Sequence, residues 1–558
     1  MILRKTSSAP VQKFKNRSSV FLIAGVIIFI TLFSIPNEKL FSQPTLEWAK
    51  HYSFESGFNN YVVDMVLDRT GNIYVMGYVH YSEENQDLLL IKYDESGNLK
   101  WGRKYTCGDS SAIYPAGIVL DNAENVIVSS TCRKTINNKI IFCFLTIKYD
   151  KSGDTLWARN YNCQLDTISW GRAGILSSDK SNNIFVTGIC QSGTYSYLAP
   201  IIKYNESGGT ERIVYVNGGG VQVLNDAANN LYFAGGNSNG QESYKYNSNG
   251  NTIWFARDTI FATGKILLDK KNNYFLGGQY YNNILFEEIA VLKYDSLGNR
   301  KWLKTHNQIS ESQRDLFKDF VLDSSGNIYV TGISAHQGQI GWDYTTIKYN
   351  ENGDSLWVRI FNPVLGSDDA ANSITLDKSG NVIVTGRSNN NSIGSKIATV
   401  IYNNDGFIKH VLYYDNNLPF SNHEGKKITT DYNNHIVIAG NSMNNTGFYD
   451  IVVLKYSQVI GINQISPEVP SITKLFQNYP NPFNPVTNFR YQIPYNAFVS
   501  LKIYDITGKE ITTLINEEKS AGTYIVSFNA ADLATGIYYY NFRAGNNFNQ
   551  TKKLLLLK

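Results

Sequence analysis

Proline, cysteine and histidine are scarce in this 558-residue chain, at 13, 5 and 7 residues. So few prolines beside 38 tyrosines, 28 phenylalanines and 44 glycines suit an all-β protein rather than a helical or disordered one. Alanine and leucine heptads are absent. The five cysteines all fall between residues 107 and 190, with no Cys-x-x-Cys and no paired Cys/His spacing, which argues against a structural zinc site. The seven histidines (His51, His80, His306, His336, His410, His423 and His435) share no common position and adjoin no Ser or Cys motif. Gly218-Gly219-Gly220 opens no helix, so it is a loop rather than a phosphate cradle. No cofactor is implied.

An excess of one charge is lacking as well. The formal net charge is +4, but residues 1–42 carry Arg4, Lys5, Lys13, Lys15, Arg17 and Lys39 against Glu38 alone. Removing that net +5 leaves −1, and a near-neutral body gives no electrostatic footprint for nucleic acid. Residues 1–19 are basic and hold no acid, and Val20 to Phe33 is almost wholly apolar. A basic stretch followed by an apolar run shorter than the roughly 20 residues of a membrane span reads as a secretory signal peptide. Its expected extent is residues 1–42, leaving Gln43 first; an uncleaved anchor is the alternative. No cysteine follows the apolar run, which excludes lipoprotein modification.

What the chain has in abundance is one sentence written repeatedly. From Val321 it reads Val-Leu-Asp, Ser-Ser-Gly-Asn and Ile-Tyr-Val-Thr-Gly; from Tyr344, Tyr-Thr-Thr-Ile-Lys-Tyr, Asn-Glu-Asn-Gly-Asp and Ser-Leu-Trp-Val-Arg. Short β-branched and aromatic runs joined by Asp/Asn-x-x-Gly clusters are strands linked by tight turns. The Ile-Lys-Tyr tyrosine recurs eight times, at Tyr93, Tyr149, Tyr204, Tyr246, Tyr294, Tyr349, Tyr402 and Tyr456. A period of roughly 40–55 residues with four short strands indicates propeller blades. The tryptophan strand that follows the tyrosine (Trp101, Trp157, Trp254, Trp302, Trp357, with weaker versions around Ile213 and His410) is missing after Tyr456, and one lies unpaired at Leu46–Tyr52. The expected fold is therefore an eight-bladed β-propeller over 43–456, closed by the N-terminal strand. Seven blades is the alternative, because the copies around residues 205–260 are short and degenerate.

These units resemble the SBBP-type bacterial β-propeller repeat, through stretches such as Leu67-Asp68-Arg69-Thr70-Gly71-Asn72-Ile73-Tyr74-Val75-Met76-Gly77 and Leu376 to Gly386. Ser130 replaces the glycine in the second copy, and the fourth lacks the usual aspartate-glycine turn. The resemblance implies a scaffold and no single activity.

If the strands of a unit are lettered a (ending Leu-Asp), b (Tyr-Val-Thr-Gly), c (Ile-Lys-Tyr) and d (the tryptophan strand), then the a–b and c–d joins are short and alike. The b–c and d–a joins vary, and strand alternation puts them together at the other end. Variable loops on a rigid scaffold are where binding residues sit. Tyr81, Trp170, Tyr195, Tyr197, Tyr280 and Trp342 are the candidate ligand-face residues, able to stack on sugar faces or anchor a protein. Blade-to-blade packing is the plain alternative for each. Aspartates such as Asp323 are expected to cap their own turns rather than to bind calcium. Cys107 and Cys163 open d–a loops, and Cys132 and Cys190 fall just beyond strand b, so disulfides Cys107–Cys132 and Cys163–Cys190 are expected, with Cys143 free.

Residues 457–473 carry Pro467 and Pro470 without a strand pattern and read as a linker. Residues 474–558 then show alternating runs with the turn spacing of a small Ig-like β-sandwich. Tyr479-Pro480-Asn481-Pro482-Phe483-Asn484-Pro485, with Leu501 to Asp505, Gly536-Ile537-Tyr538-Tyr539 and Thr551 to Lys558, resembles the type A C-terminal sorting domain of the type IX secretion system. That resemblance implies an address read by the outer-membrane secretion machinery, removed in the linker by a sortase-like peptidase, with the cargo released or attached to surface lipopolysaccharide. The expected function is a secreted or cell-surface binding or interaction protein with a glycan or protein ligand. A secreted polysaccharide hydrolase or lyase using the loop face is the alternative; no enzyme is the first expectation.

Overall fold

The structure is a computed structural model that describes residues 44–557 apart from 83, 109–110, 137–138, 164–170, 193–195, 238–239, 259–260, 282–286, 308–313, 336–340, 365–366, 391–393, 459–462, 467–469, 485, 531–532 and 546. The expected signal peptide lies outside the described residues. Every regular element among them is a strand.

The sixth repeat shows the unit: strands a (Asp315–Leu322), b (Ile328–Ala335), c (Trp342–Tyr349) and d (Ser355–Phe361) pair in that order. Its a–b turn is built by one aspartate. Asp323 Oδ1 accepts the N–H groups of Ser325 (2.8 Å) and Asn327 (2.9 Å), and Oδ2 takes the Asn327 amide at 2.7 Å. Gly326 supplies the positive φ of +84° that closes the turn. The carboxylate is thus consumed by its own backbone.

The same order recurs along the chain, with two departures. In the third repeat strands a and b are each broken in two (Gly171–Ala173 with Ser177–Ser178, and Ile184–Val186 with Gly188–Ser192). In the eighth, strands a (His423–Thr430), b (Ile436–Met443) and c (Tyr449–Ser457) are completed by Thr45–Tyr52, antiparallel to c with Trp48 opposite Lys455. Strand b also continues past the glycine at which the sequence pattern ends; in the first repeat it runs Ile73–Ser82.

The apolar cores sit between units, not within them. Tyr74 and Met76 face the second unit, packing with Val126, Val128 and Ile147, while Ile73 and Val75 pack with Val437, Ala439, Ile451 and Val453 of the eighth. Both faces of strands b and c are therefore covered, which is why they read as near-continuous apolar runs rather than as alternations. The seams are stapled in one repeated way. At four seams the Ile-Lys-Tyr lysine and the strand-d tryptophan donate to the same carbonyl in the next unit's c–d turn. Lys92 (3.0 Å) and Trp101 (3.1 Å) meet Lys151 O, and Lys348 (3.1 Å) and Trp357 (3.0 Å) meet Asn404 O. Lys455 of the eighth unit makes the equivalent bond to Glu95 O of the first at 3.1 Å. In the third unit the tryptophan position, opposite Lys203, belongs to Arg212 rather than to Ile213. A gap of about 30 Å³ is left there, room for about one water.

The glycine that strand b repeats lies against a bulge in strand a, although Ser130 stands there in the second unit. In the first repeat the register slips between Val62 and Asp64, and in the seventh between Ala371 and Ser373. The bulge swings the preceding carbonyl over strand b: a Cβ on Gly77 would lie 2.1 Å from Tyr61 O, and one on Gly386 1.9 Å from Ala370 O.

The C-terminal module is a two-sheet sandwich. One sheet orders Asn463–Ser466, Gly522–Asn529, Val486–Ile493 and Lys474–Leu475; the other orders Glu510–Lys519, Ala497–Tyr504, Gly536–Ala544 and Phe548–Leu556. Phe489, Tyr491, Leu501, Tyr540, Phe542 and Leu554 are buried between them. The expected linker is corrected here: Asn463–Ser466 is an edge strand of the sandwich, paired with Gly522–Asn529. Backbone pairing on that edge needs no alternation of side chains, so the sequence pattern does not reveal it.

Candidate functional site

At the end of the propeller where the b–c and d–a joins lie, a cavity of about 600 Å³ opens between the seventh, eighth and first units. It is lined by Tyr61 and Tyr78 of the first unit, Arg387 and Asn389 of the seventh, and His423, Glu424, Lys426 and Tyr449 of the eighth, among others. A second cavity of about 400 Å³ adjoins it through the shared residue Val63, and is walled by Ala116, Ile175, Ile189 and Val221.

The strand-a bulge aims these residues inward, and its chemistry changes from unit to unit. The extra residue is Val63, Ala116, Val221 and Gly264 in the first, second, fourth and fifth units. It is Lys318, Asn372 and Lys426 in the sixth to eighth. One scaffold position therefore gives an apolar arc and a polar, cationic arc.

Three tyrosines form the aromatic wall. Tyr61 lies 5.3 Å from Tyr78 and 5.4 Å from Tyr449, ring centre to ring centre. Burial, and then Tyr78 and Tyr449, raise the Tyr61 hydroxyl above its ordinary value, so it is a neutral donor near pH 7. Tyr449 is fixed from across the seam, its N–H bonded to Asn59 Oδ1 at 2.9 Å, and Val62 N–H is likewise held by Asn441 Oδ1 at 2.9 Å.

The charged wall is asymmetric. Glu424 accepts from Lys426 and from Asn372 Nδ2, each at 2.8 Å. Burial pushes its carboxyl up, but Lys426, Asn372 and Arg387 outweigh this and hold it below the usual glutamate value. Lys318 is lowered by burial and then by the like charge of Lys426. The Nε of Arg387 is shielded from solvent and has no hydrogen-bond partner among the described residues. His423 is buried and bonded to Ser421 Oγ (2.7 Å) and Ser442 Oγ (2.9 Å). Burial brings its pKa down to about 4.

Of the expected ligand-face residues, Tyr81, Tyr197, Tyr280 and Trp342 do not line this cavity. Tyr81 packs edge-on against Phe58 at 4.8 Å and bonds Glu55 at 3.1 Å and Lys104 at 3.2 Å. Tyr280 packs on the seam between the fourth and fifth units, Trp342 begins strand c of the sixth unit, and Tyr197 lies in strand c (Ser196–Tyr204) of the third. Trp170 and Tyr195 lie outside the described residues. Tyr61, Tyr78, Arg387 and Lys426 escaped the sequence reading because they sit inside strands. The bulge residue, four before the end of strand a (Val63 before Leu67, Lys318 before Leu322, Lys426 before Thr430), is the signal that could have found Lys426.

Cys107 is bonded to Cys132 and Cys163 to Cys190, and Cys143 is free and buried. Cys132 and Cys190 lie within strand b (Val126–Ile136 and Gly188–Ser192), not in a loop beyond it. Each bridge ties strand b to the segment preceding or opening its own unit.

In the C-terminal module the Tyr479–Pro485 segment is clamped to the last strand. Phe483 N–H donates to Leu555 O at 3.0 Å, Leu557 N–H returns to Phe483 O at 2.9 Å, and Asn481 Oδ1 takes Leu555 N–H at 2.9 Å. Asn478 is buried and its backbone N–H donates to the Tyr540 hydroxyl at 3.1 Å, while Tyr479 is 80% exposed. The peptide bonds before Pro480 and Pro482 are cis; Pro485 lies outside the described residues.

Residues 477–557 match the family described as a secretion system C-terminal sorting domain. No curated protein sequence matches the chain. Among solved structures the chain is similar to the Dos1 propeller (10% identity, TM-score 0.46, covering 74% of this chain and 96% of that one). It is also similar to the β-propeller domain of the Trilobed protease from Pyrococcus furiosus (8% identity, TM-score 0.36, 62% and 95%). At these scores neither bears on the reading below, which rests on the chain's own strand pairings. The sorting domain directs export through the type IX secretion system, and the protein is secreted or displayed at the cell surface.

Proposed function

We propose that the exported chain is an eight-bladed propeller, locked by its N-terminal strand, that binds an extracellular ligand in the recess between its seventh, eighth and first units. The cavity carries this reading: its volume of about 600 Å³ lies in the range of about 300–1,000 Å³ usual for small-molecule sites, and it mixes aromatic faces with a few placed polar groups. A recess of this kind suits a saccharide better than a broad protein face. Support for closure comes from the eighth seam, where Lys455 donates to Glu95 O as other strand-c lysines do to their next unit and Trp48 packs against the shared apolar core. A hydrolytic reading asks for two facing carboxylates. The cavity's described lining offers Glu424, which is already paired with Lys426 and held ionised.

A glycan array probed with the full-length chain, followed by a reducing-sugar assay on any hit, tests the binding reading. Retained saccharide without product is the expected result; accumulating product would replace it with the enzyme. For the address, removal of residues 474–558 is expected to strand the protein in the periplasm, and normal surface display of that truncation would overturn it.

A further inference from the structure

We propose that the cavity selects an acidic sugar, a uronic-acid unit whose carboxylate docks on Arg387 while its ring lies against the Tyr61, Tyr78 and Tyr449 cluster. This rests on the reading of the chain as a saccharide-binding propeller and adds the class of sugar.

Charge accounting inside the cavity gives the first argument. Glu424 is the carboxylate of the described lining, and it is neutralised by Lys426 at 2.8 Å and braced by Asn372 at 2.8 Å. The guanidinium of Arg387 is then the uncompensated charge. Its backbone is fixed in strand b of the seventh unit (Val382–Asn390), opposite Ala370 and Ile397, so the side chain is presented by a rigid element. Its shielded Nε has no hydrogen-bond partner among the described residues. A buried polar donor left without a partner is costly, and a bound acceptor would recover that cost. The planar fork of arginine matches a carboxylate with two parallel hydrogen bonds.

A second argument comes from shape. The three tyrosine rings are packed within 5.4 Å of Tyr61, and an aromatic face pairs with the C–H face of a pyranose ring. Cationic bulge residues Lys318 and Lys426 stand on the arc of Arg387, not on the arc of Val63 and Val221. An anion entering the channel is therefore drawn to one side. A neutral sugar would use the tyrosines and leave Arg387 unsatisfied.

Isothermal titration of the full-length chain with trigalacturonate and with α-1,4-galactotriose, which differ only at C6, tests this. Trigalacturonate is expected to bind at least ten-fold more tightly. Arg387→Gln should weaken it ten-fold or more and flatten its salt dependence. Glu424→Gln, which releases Lys426, should tighten it. If Arg387→Gln does not fold, Lys426→Gln is expected to weaken binding in the same direction. Equal affinity for the two trisaccharides, or an Arg387→Gln chain that binds like the native one, overturns the acidic-sugar assignment and leaves the binding reading standing. Capture of an acidic peptide in place of either sugar also overturns it. Absence of binding to any saccharide on the array defeats both.

Discussion

The two ends of the propeller follow opposite rules. At the turn end four seams repeat one device: a lysine from strand c and a tryptophan from strand d reach a single carbonyl of the next unit, as Lys148 and Trp157 do with Glu206 O at 3.5 and 3.0 Å. At the loop end the equivalent strand-b position, one residue past the glycine, varies from seam to seam, only Ile189 and Ile333 being alike. Thr131 Oγ1 holds Ala173 N–H at 2.8 Å, Asn441 Oδ1 holds Val62 N–H at 2.9 Å, and Gln279 Oε1 holds Phe317 N–H at 2.5 Å. Tyr78 and Arg387 occupy the same position and turn to the cavity instead. Uniformity marks the contacts that set the architecture; variety marks those free to meet a ligand.

The sharpest way to break the contrast is at the seam closed by a distant strand. Deleting Thr45–Tyr52 bares the edge of Tyr449–Ser457 and removes Trp48 from the core shared by the eighth and first units. The expected cost is on the order of 5 kcal/mol or more, comparable to the net stability of a domain. It would appear as loss of a cooperative thermal transition and gain of aggregation. A deletion variant that melts like the native chain would show that the eighth unit needs no outer strand.

Next in size is a single staple. Trp357 is buried, donates to Asn404 O at 3.0 Å and carries Arg359 at 5.7 Å from its ring. Trp357→Ala is expected to cost about 3–5 kcal/mol by chemical denaturation. Arg212→Ala, at the seam that already lacks the tryptophan and holds a gap of about 30 Å³, is expected to cost under about 1 kcal/mol. Similar losses at both would mean that Arg212 staples its seam as firmly as a tryptophan does.

The turn end was legible in the sequence because its determinants are local. An Asp-x-x-Gly-Asn cluster such as Asp377 to Asn381 specifies its own turn within five residues, with Asp377 Oδ1 accepting the N–H groups of Ser379 and Asn381, each at 2.8 Å. The sandwich strands were legible for a similar reason, since Ala497–Tyr504 alternates exposed and buried residues along its length. The loop-end cavity was not. Tyr61, Arg387 and Glu424 come from three units, with Tyr61 more than 300 residues before the other two, and each sits in a strand rather than in a loop. Aromatics such as Tyr81 and Tyr280 were singled out by loop position, but the seams absorb them. The edge strand Asn463–Ser466 shows the same limit in the backbone, because its pairing is fixed by the sandwich and not by its own composition.

A smaller effect sits at the loop end itself. His423 is buried with both ring nitrogens engaged by serine hydroxyls, and its pKa is brought down to about 4 from an ordinary 6.5. The folded state thus favours the neutral ring, and the unfolded chain binds the extra proton between those values. Stability should be full above about pH 6.5 and fall as the pH drops toward 4. The expected loss is on the order of 1–2 kcal/mol, discounted from the full shift because the ring borders the solvent of the cavity. Melting temperature against pH checks it, and His423→Gln should flatten that slope; an unchanged slope would place the titrating group elsewhere.

The smallest expected effect is the most diagnostic of the contrast. If loop-end variety exists for a ligand, then the side chain best placed to meet one should contribute little to the fold. Arg387 satisfies the condition: its backbone pairs on both sides, with Ala370 and Ile397, but the shielded Nε makes no hydrogen bond among the described residues. Arg387→Gln keeps a polar side chain, removes the charge that faces Lys318 and Lys426, and leaves the seam contacts of the seventh unit untouched. Its stability should therefore stay within about 0.5 kcal/mol of the native chain, because relief of the repulsion on Lys318 offsets the lost attraction to Glu424. A loss of several kcal/mol would mean that Arg387 belongs with the staples, and that the two ends of the propeller differ less than their side chains suggest.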